Sequence, residues 1–184
     1  MKSICVYCGS RLSSFPDLPE IAFAVGKKIA ERGFNVVYGG ANVGLMGKVA
    51  DGALSAGGEV YGVIPKVIFD FEVAHNEISK LYTVENMHER KLKMVELSEA
   101  FIALPGGFGT MDELNEIITW KQIKLHNKPI AIFNYLGYYD HYIDFLKTGV
   151  NVGLISKEHF DMLIISDSIE EILNRFSWLF YENT

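Results

Sequence analysis

Three segments of this 184-residue chain put glycine where a backbone must come close to something. They are Cys8-Gly9-Ser10-Arg11, Gly39-Gly40-Ala41-Asn42-Val43-Gly44-Leu45-Met46-Gly47 and Pro105-Gly106-Gly107-Phe108-Gly109-Thr110. Glycine has no Cβ, so its amide can approach a ligand and its φ can turn positive. A helix that starts after such a loop offers unpaired N–H groups and the positive end of its dipole. Together these favour an anion, most often phosphate. One such loop would read as a tight turn; two Gly-Gly loops that each open a helix point to phosphate binding.

The charged residues near these loops admit more than one reading. Thr110-Met111-Asp112-Glu113 has the form of a capping box, with Thr110 as cap and Glu113 reaching back to its N–H. The same spacing would also hold Glu113 as a catalytic carboxylate in the first helical turn beside a phosphate loop. Spacing alone leaves both open, and Ser168-Ile169-Glu170-Glu171 repeats the pattern where no chemistry is suspected. Met87-His88-Glu89-Arg90-Lys91 opens another helix. Such charges usually form a solvated face, yet these lie at the same presumed edge as the loops. Arginine can grip phosphate or carboxylate through two parallel hydrogen bonds. Cys5 and Cys8 form a Cys-x-x-Cys pair, but both fall in an apparent strand rather than at a helix start. Structural thiols are expected rather than a redox site, and two cysteines cannot alone make a structural zinc site. His75, His126, His141 and His159 are scattered and receive no role.

The common nucleotide motifs are absent. Gly39 and Gly44 have P-loop spacing, but Leu45 and Met46 stand where Lys and Ser/Thr are needed. No Gly-x-Gly-x-x-Gly follows the first strand, so the dinucleotide fingerprint is missing. His88-Glu89 lacks a second histidine at metalloprotease spacing, so no metal site is expected. The site reads as built for one phosphate group.

The elements that must position these residues alternate. Strands are predicted at 3–8, 35–38, 59–64, 81–84, 100–104, 129–133 and 162–165. Helices are predicted at 19–32, 45–56, 87–99, 110–123, 138–147 and 168–180, with 66–79 irregular. Continuous apolar strands between helices mean a parallel sheet buried on both faces. The expected architecture is α/β: a single domain over 1–184, Rossmann-like and doubly wound, with a mostly parallel sheet of about seven strands. No repeat, linker or low-complexity tract interrupts it. Hydrophobic residues make up 49% of the chain, which argues against disorder. The net charge of −6 argues against a nucleic-acid polymer as partner but not against one mononucleotide. No apolar run is long enough for a membrane helix, and the start is too short for a secretory signal, so a cytoplasmic protein without membrane association is expected. The 12 Phe and 9 Tyr suit either the core or a subunit interface.

Across residues 4–139 the chain resembles the LOG ("lonely guy") family of cytokinin-activating phosphoribohydrolases, long labelled possible lysine decarboxylases. The resemblance is carried by Pro105-Gly106-Gly107-Phe108-Gly109-Thr110-Met111-Asp112-Glu113 and by Met87-His88-Glu89-Arg90-Lys91. Cys5–Ser10, Val43–Gly47 and Gly62–Pro65 support it. It implies hydrolysis of N6-modified adenosine 5′-monophosphates, and often AMP, to free base and ribose 5-phosphate. It also implies a homodimer with sites near the interface and no cofactor. Carried over, Arg90 and Glu113 are the catalytic pair. Glu72, Met87, Lys91, the Gly107–Thr110 loop and Thr119 match substrate positions. They join Gly9, Ser10, Gly39, Gly40, Gly44 and Gly106, named from the loops. Asp112, Ala41-Asn42 and Asp70-Phe71 depart from the common family pattern. Two other readings compete: a nucleotide sensor or carrier without catalysis, and a pyridoxal-dependent decarboxylase, for which Lys91 is the one lysine near the presumed site.

Overall fold

The computed structural model describes residues 2–11, 15, 17–69, 75 and 77–182. Seven strands form one sheet: β1 (Ser3–Tyr7), β2 (Asn35–Tyr38), β3 (Val60–Pro65), β4 (Lys80–Val84), β5 (Ala100–Ala103), β6 (Ile130–Phe133) and β7 (Leu163–Ser166). Their order is β4-β3-β2-β1-β5-β6-β7, and every pairing is parallel. The chain winds outward from β1 to one edge, then returns to place β5 on the other side of β1. The order therefore reverses between β1 and β5, where Cys5 faces Phe101 and Tyr7 faces Ala103. A ligand crevice forms at such a reversal, outside the carboxyl ends of the strands.

Side chains alternate across the pleat and are buried on both faces. Ile4, Val6, Val36, Tyr38 and Ile102 pack on one side against α1 (Leu18–Glu31), α2 (Gly44–Ser55) and α8 (Ile169–Glu182). Cys5, Tyr7, Val37, Phe101 and Ile132 pack on the other against α4 (Met87–Glu96), α5 (Phe108–Gln122) and α6 (Asp140–Asn151). Helices α1 and α2 touch backbone to backbone. A Cβ on Gly26 would collide with the Val49 carbonyl, and one on Gly52 with the Phe23 carbonyl. Among the described residues no helix is long and apolar enough to cross a membrane.

The doubly wound architecture matches the sequence expectation, and the sheet is entirely rather than mostly parallel. The differences are local. Two short helices, α3 (Lys66–Phe69) and α7 (Lys157–Asp161), stand where none was predicted. Four or five residues are too few to display a helical period; α7 instead relies on Ser156, whose Oγ accepts from the His159 N–H at 3.1 Å. Helix α4 stops at Glu96 rather than 99, because Ser98 turns its hydroxyl back to the Met94 carbonyl at 2.7 Å. Helix α6 starts at Asp140, after a 3-10 turn over Tyr135–Gly137, and runs to Asn151. Cys8 lies one residue beyond β1, not inside it.

Candidate active site

A cavity of about 530 Å³ opens at the β1/β5 reversal, a size that suits a small ligand. Cys8, Gly9, Ser10 and Arg11 reach it from the end of β1, and Gly39 from the end of β2. Met46 of α2, Met87 and Arg90 of α4, and Gly107–Thr110 and Glu113 of α5 complete the wall.

The start of α5 is built to leave donors open. Gly107 is the N-cap and no side chain caps the helix. The Met111 N–H bonds the Gly107 carbonyl at 3.1 Å. The N–H groups of Phe108, Gly109 and Thr110 precede that first bond and have no partner within an α-helix. No acidic residue occupies the first turn, so the positive end of the helix dipole is not offset there. The capping-box reading of Thr110 and Glu113 is thereby corrected. The helix begins two residues before Thr110, which is buried against Gly106, where an added Cβ would strike the threonine side chain. Added Cβ atoms on Gly107 and Gly109 would meet nothing within 4 Å. Glu113 follows Gly109 by four residues, one helical turn, so both face the same cavity. Phe108 stands at the mouth, 97% exposed.

Arg90 enters from the opposite side and is only 5% exposed. Its Nε donates to the Val63 carbonyl at 3.1 Å and its Nη2 to the Gly39 carbonyl at 2.9 Å, tying β3 and the turn after β2 to α4. Its Nη1 lies 3.9 Å from the Met87 sulfur. Burial pushes the Cys8 thiol above the ordinary thiol range; the Glu113 carboxylate raises it further and the Arg90 guanidinium draws it back in part. Burial and then Glu113 raise Cys5 as well. Both charged groups thus act electrostatically on the end of β1. The cysteines are free and buried, as expected of structural thiols.

Other named residues lie elsewhere. Lys91 follows Arg90 by about 100° around the helix and turns to α5, pairing with Glu116 at 2.9 Å and Asp112 at 3.1 Å. Burial works against its charge, but hydrogen bonds to Glu116 and Asp112 outweigh this and raise its pKa. Thr119 donates its hydroxyl to the Asn115 carbonyl at 2.8 Å and lines a shallow groove with Phe108, Met111 and Trp120, outside the main cavity. Gly40, Gly44 and Gly106 stand behind the wall rather than on it. Glu72, Asp70 and Phe71 lie outside the described residues. Arg11 and Met46 line the cavity without having been singled out, and their only sequence signal is their place in glycine-bearing segments. Tyr138 and Tyr139 carried none. Their hydroxyls donate to the Gly106 and Leu104 carbonyls, each at 2.7 Å, and brace the loop from behind. Among the described residues no three His, Cys, Asp or Glu side chains converge as metal ligands do.

Fold and site define a Rossmann-like α/β protein with a cavity and an uncapped helix start at the sheet's reversal point. A family model described as possible lysine decarboxylase matches residues 46–176. The cytokinin riboside 5′-monophosphate phosphoribohydrolase LOG of Oryza sativa subsp. japonica is 40% identical over 172 residues, 94% of this chain and 71% of that protein. The cytokinin riboside 5′-monophosphate phosphoribohydrolase LOG7 of Arabidopsis thaliana is 39% identical over 174 residues, 95% of this chain and 80% of that protein. The chain belongs to the LOG family. The fold recurs in a molybdenum cofactor binding protein from Rippkaea orientalis, with a TM-score of 0.73, 20% identity and 98% of each chain covered. It recurs also in the molybdenum cofactor carrier protein of Chlamydomonas reinhardtii, with a TM-score of 0.71 and 19% identity over 98% of this chain and 99% of that one. At that identity the likeness is one of fold.

Proposed function

We propose that this chain hydrolyses the N-glycosidic bond of adenosine 5′-monophosphates, N6-modified ones included, releasing free base and ribose 5-phosphate. One observation carries the reading: an uncapped 15-residue helix opens on the cavity and presents Glu113 one turn further along the same wall. The N–H groups of residues 108–110 would hold the 5′-phosphate and so fix the ribose relative to Glu113. Cleavage develops positive charge on the sugar as the base departs. The Glu113 carboxylate would stabilise that charge and orient the attacking water. Water adds to C1′ and the base leaves with a proton. Arg90, whose guanidinium also reaches the cavity, would orient Glu113, the phosphate or a ribose hydroxyl. Identity over most of the chain to phosphoribohydrolases supports the same reaction.

The working unit in this reading is a homodimer of single nucleotide-binding domains in the cytoplasm. Thr119 and its groove lie outside this chain's own cavity, while the family resemblance puts Thr119 in contact with substrate. A dimer with its sites at the interface reconciles the two, each subunit lending its Thr119 face to the partner's site. Lys91 would act through its ion pairs to α5. Glu72 is the proposed further contact. The deciding experiment incubates the protein with AMP and with isopentenyl-AMP and measures free base by chromatography. Base release is the expected result; nucleotide binding without release would make the protein a sensor or carrier.

A further inference from the structure

His75 has no place in the chemistry above, yet its side chain is buried and makes two hydrogen bonds. It is 3% exposed. Its backbone N–H donates to the Gly40 carbonyl at 3.1 Å. The Glu77 N–H lies 3.3 Å from its Nδ1, and an N–H donor there requires Nδ1 to be the acceptor. The ring proton then sits on Nε2 and is donated to the Asp51 Oδ1 at 3.1 Å. One residue thus links α2, the turn after β2 and the connection from α3 to β4.

The turn it holds is the one that carries Arg90. Gly39 and Gly40 are consecutive: the Gly39 carbonyl accepts from Arg90 Nη2, and the Gly40 carbonyl accepts from the His75 N–H. Gly40 has a φ of +84°, and a Cβ there would meet Ile64, Leu81 and the Val63 nitrogen at 3.2–3.3 Å. The turn is held in a left-handed conformation between two elements. Arg90 grips one of its carbonyls on the cavity side, and His75 grips the next from behind.

We infer that the Asp51–His75 pair is a positioning device for Arg90, acting through the Gly39–Gly40 turn. Asp51 fixes the imidazole, the imidazole fixes the backbone at residue 75, and that backbone sets where the Gly39 carbonyl meets the guanidinium. Asp51 itself is half-exposed and is not among the residues that line the cavity. The inference rests on the proposed role of Arg90 in base release, so its test has two readouts.

The first compares Asp51→Ala and Asp51→Asn with the unaltered chain in the base-release assay. Asparagine retains an acceptor for the Nε2 proton; alanine does not. The expected result is a kcat about tenfold lower in Asp51→Ala with KM within about twofold. Asp51→Asn should stay close to the unaltered chain, and the thermal midpoints of the two variants should agree. The second readout needs no turnover. The Arg90 Nε–H resonance should shift and exchange faster with solvent in Asp51→Ala and stay unchanged in Asp51→Asn. An unaltered chain that releases no base would defeat the functional reading and leave the resonance to decide this one. Full kcat with an unmoved resonance in Asp51→Ala would overturn the inference. So would equal losses in both variants, or a loss that merely follows the thermal midpoint.

Discussion

Two glycine loops look alike in the sequence and do different work in the fold. In the loop after β2, Gly40 and Gly44 have φ of +84° and +62°. A Cβ on Gly44 would run into the Ser10 carbonyl, and one on Gly47 would come within 2.8 Å of the Asn42 carbonyl. Those glycines let backbones pack. In the loop after β5, Gly107 and Gly109 have negative or unremarkable φ and open space around them. Packing does not require them, and what they face is the cavity. Glycine spacing alone therefore does not separate a scaffold from a cavity wall: Gly39 lines the cavity from the first loop, and Gly106 packs against Thr110 in the second.

The largest effect is expected at the cavity loop's own carboxylate. Glu113→Gln keeps size and shape and removes the charge. Turnover should fall by a factor of about 10² or more, with nucleotide binding retained. Near-normal kcat in that variant would detach the loop from catalysis. Next in size, Gly44→Ala should destabilise the protein by about 2–3 kcal/mol, since an unfavourable φ and a backbone collision coincide. Its thermal midpoint should drop by several degrees with little change in KM. Gly109→Ala should do the reverse. Stability should hold or rise slightly, because alanine is the better helix former, while KM for the nucleotide rises by roughly tenfold as the methyl group crowds the phosphate. If both variants lose stability alike, the distinction between the loops fails. The smallest effect concerns the two buried thiols. Burial first, and Glu113 second, raise Cys5 and Cys8 above the thiol range. In the folded protein at pH 8 they should resist iodoacetamide, read by mass spectrometry, and become reactive in urea. The unfolded thiols ionise near pH 8.5 and the folded ones far higher. The folded state therefore binds more protons in alkali, and stability should decline as pH climbs past that value.

Much of the architecture was legible because its causes are local. The apolar runs around Ile4, Val36, Ile102 and Ile132 announced buried parallel strands, and Gly33 and Gly57 marked helix ends. The segment 105–113 announced its site because loop, helix start and carboxylate lie within one short stretch. What eluded the sequence depended on partners far along the chain. Arg90 and Lys91 are neighbours in sequence, yet the helix turns one to the Gly39 carbonyl and the other to Glu116. Tyr138 and Tyr139 brace a carbonyl pair more than thirty residues away, and nothing near His75 in the sequence marks its partner, because Asp51 lies 24 residues upstream.

The chain's own order of residues settled the alternation of strand and helix, the doubly wound class and the choice of 105–113 as a cavity-facing segment, since each follows from periodicity or from a contiguous motif. Tertiary structure alone decided which glycines line the cavity, which of two adjacent cations enters it, and whether Thr110 caps a helix or packs inside one. Those outcomes turn on directions in space, which helical rotation and the sheet's reversal impose only once distant segments meet.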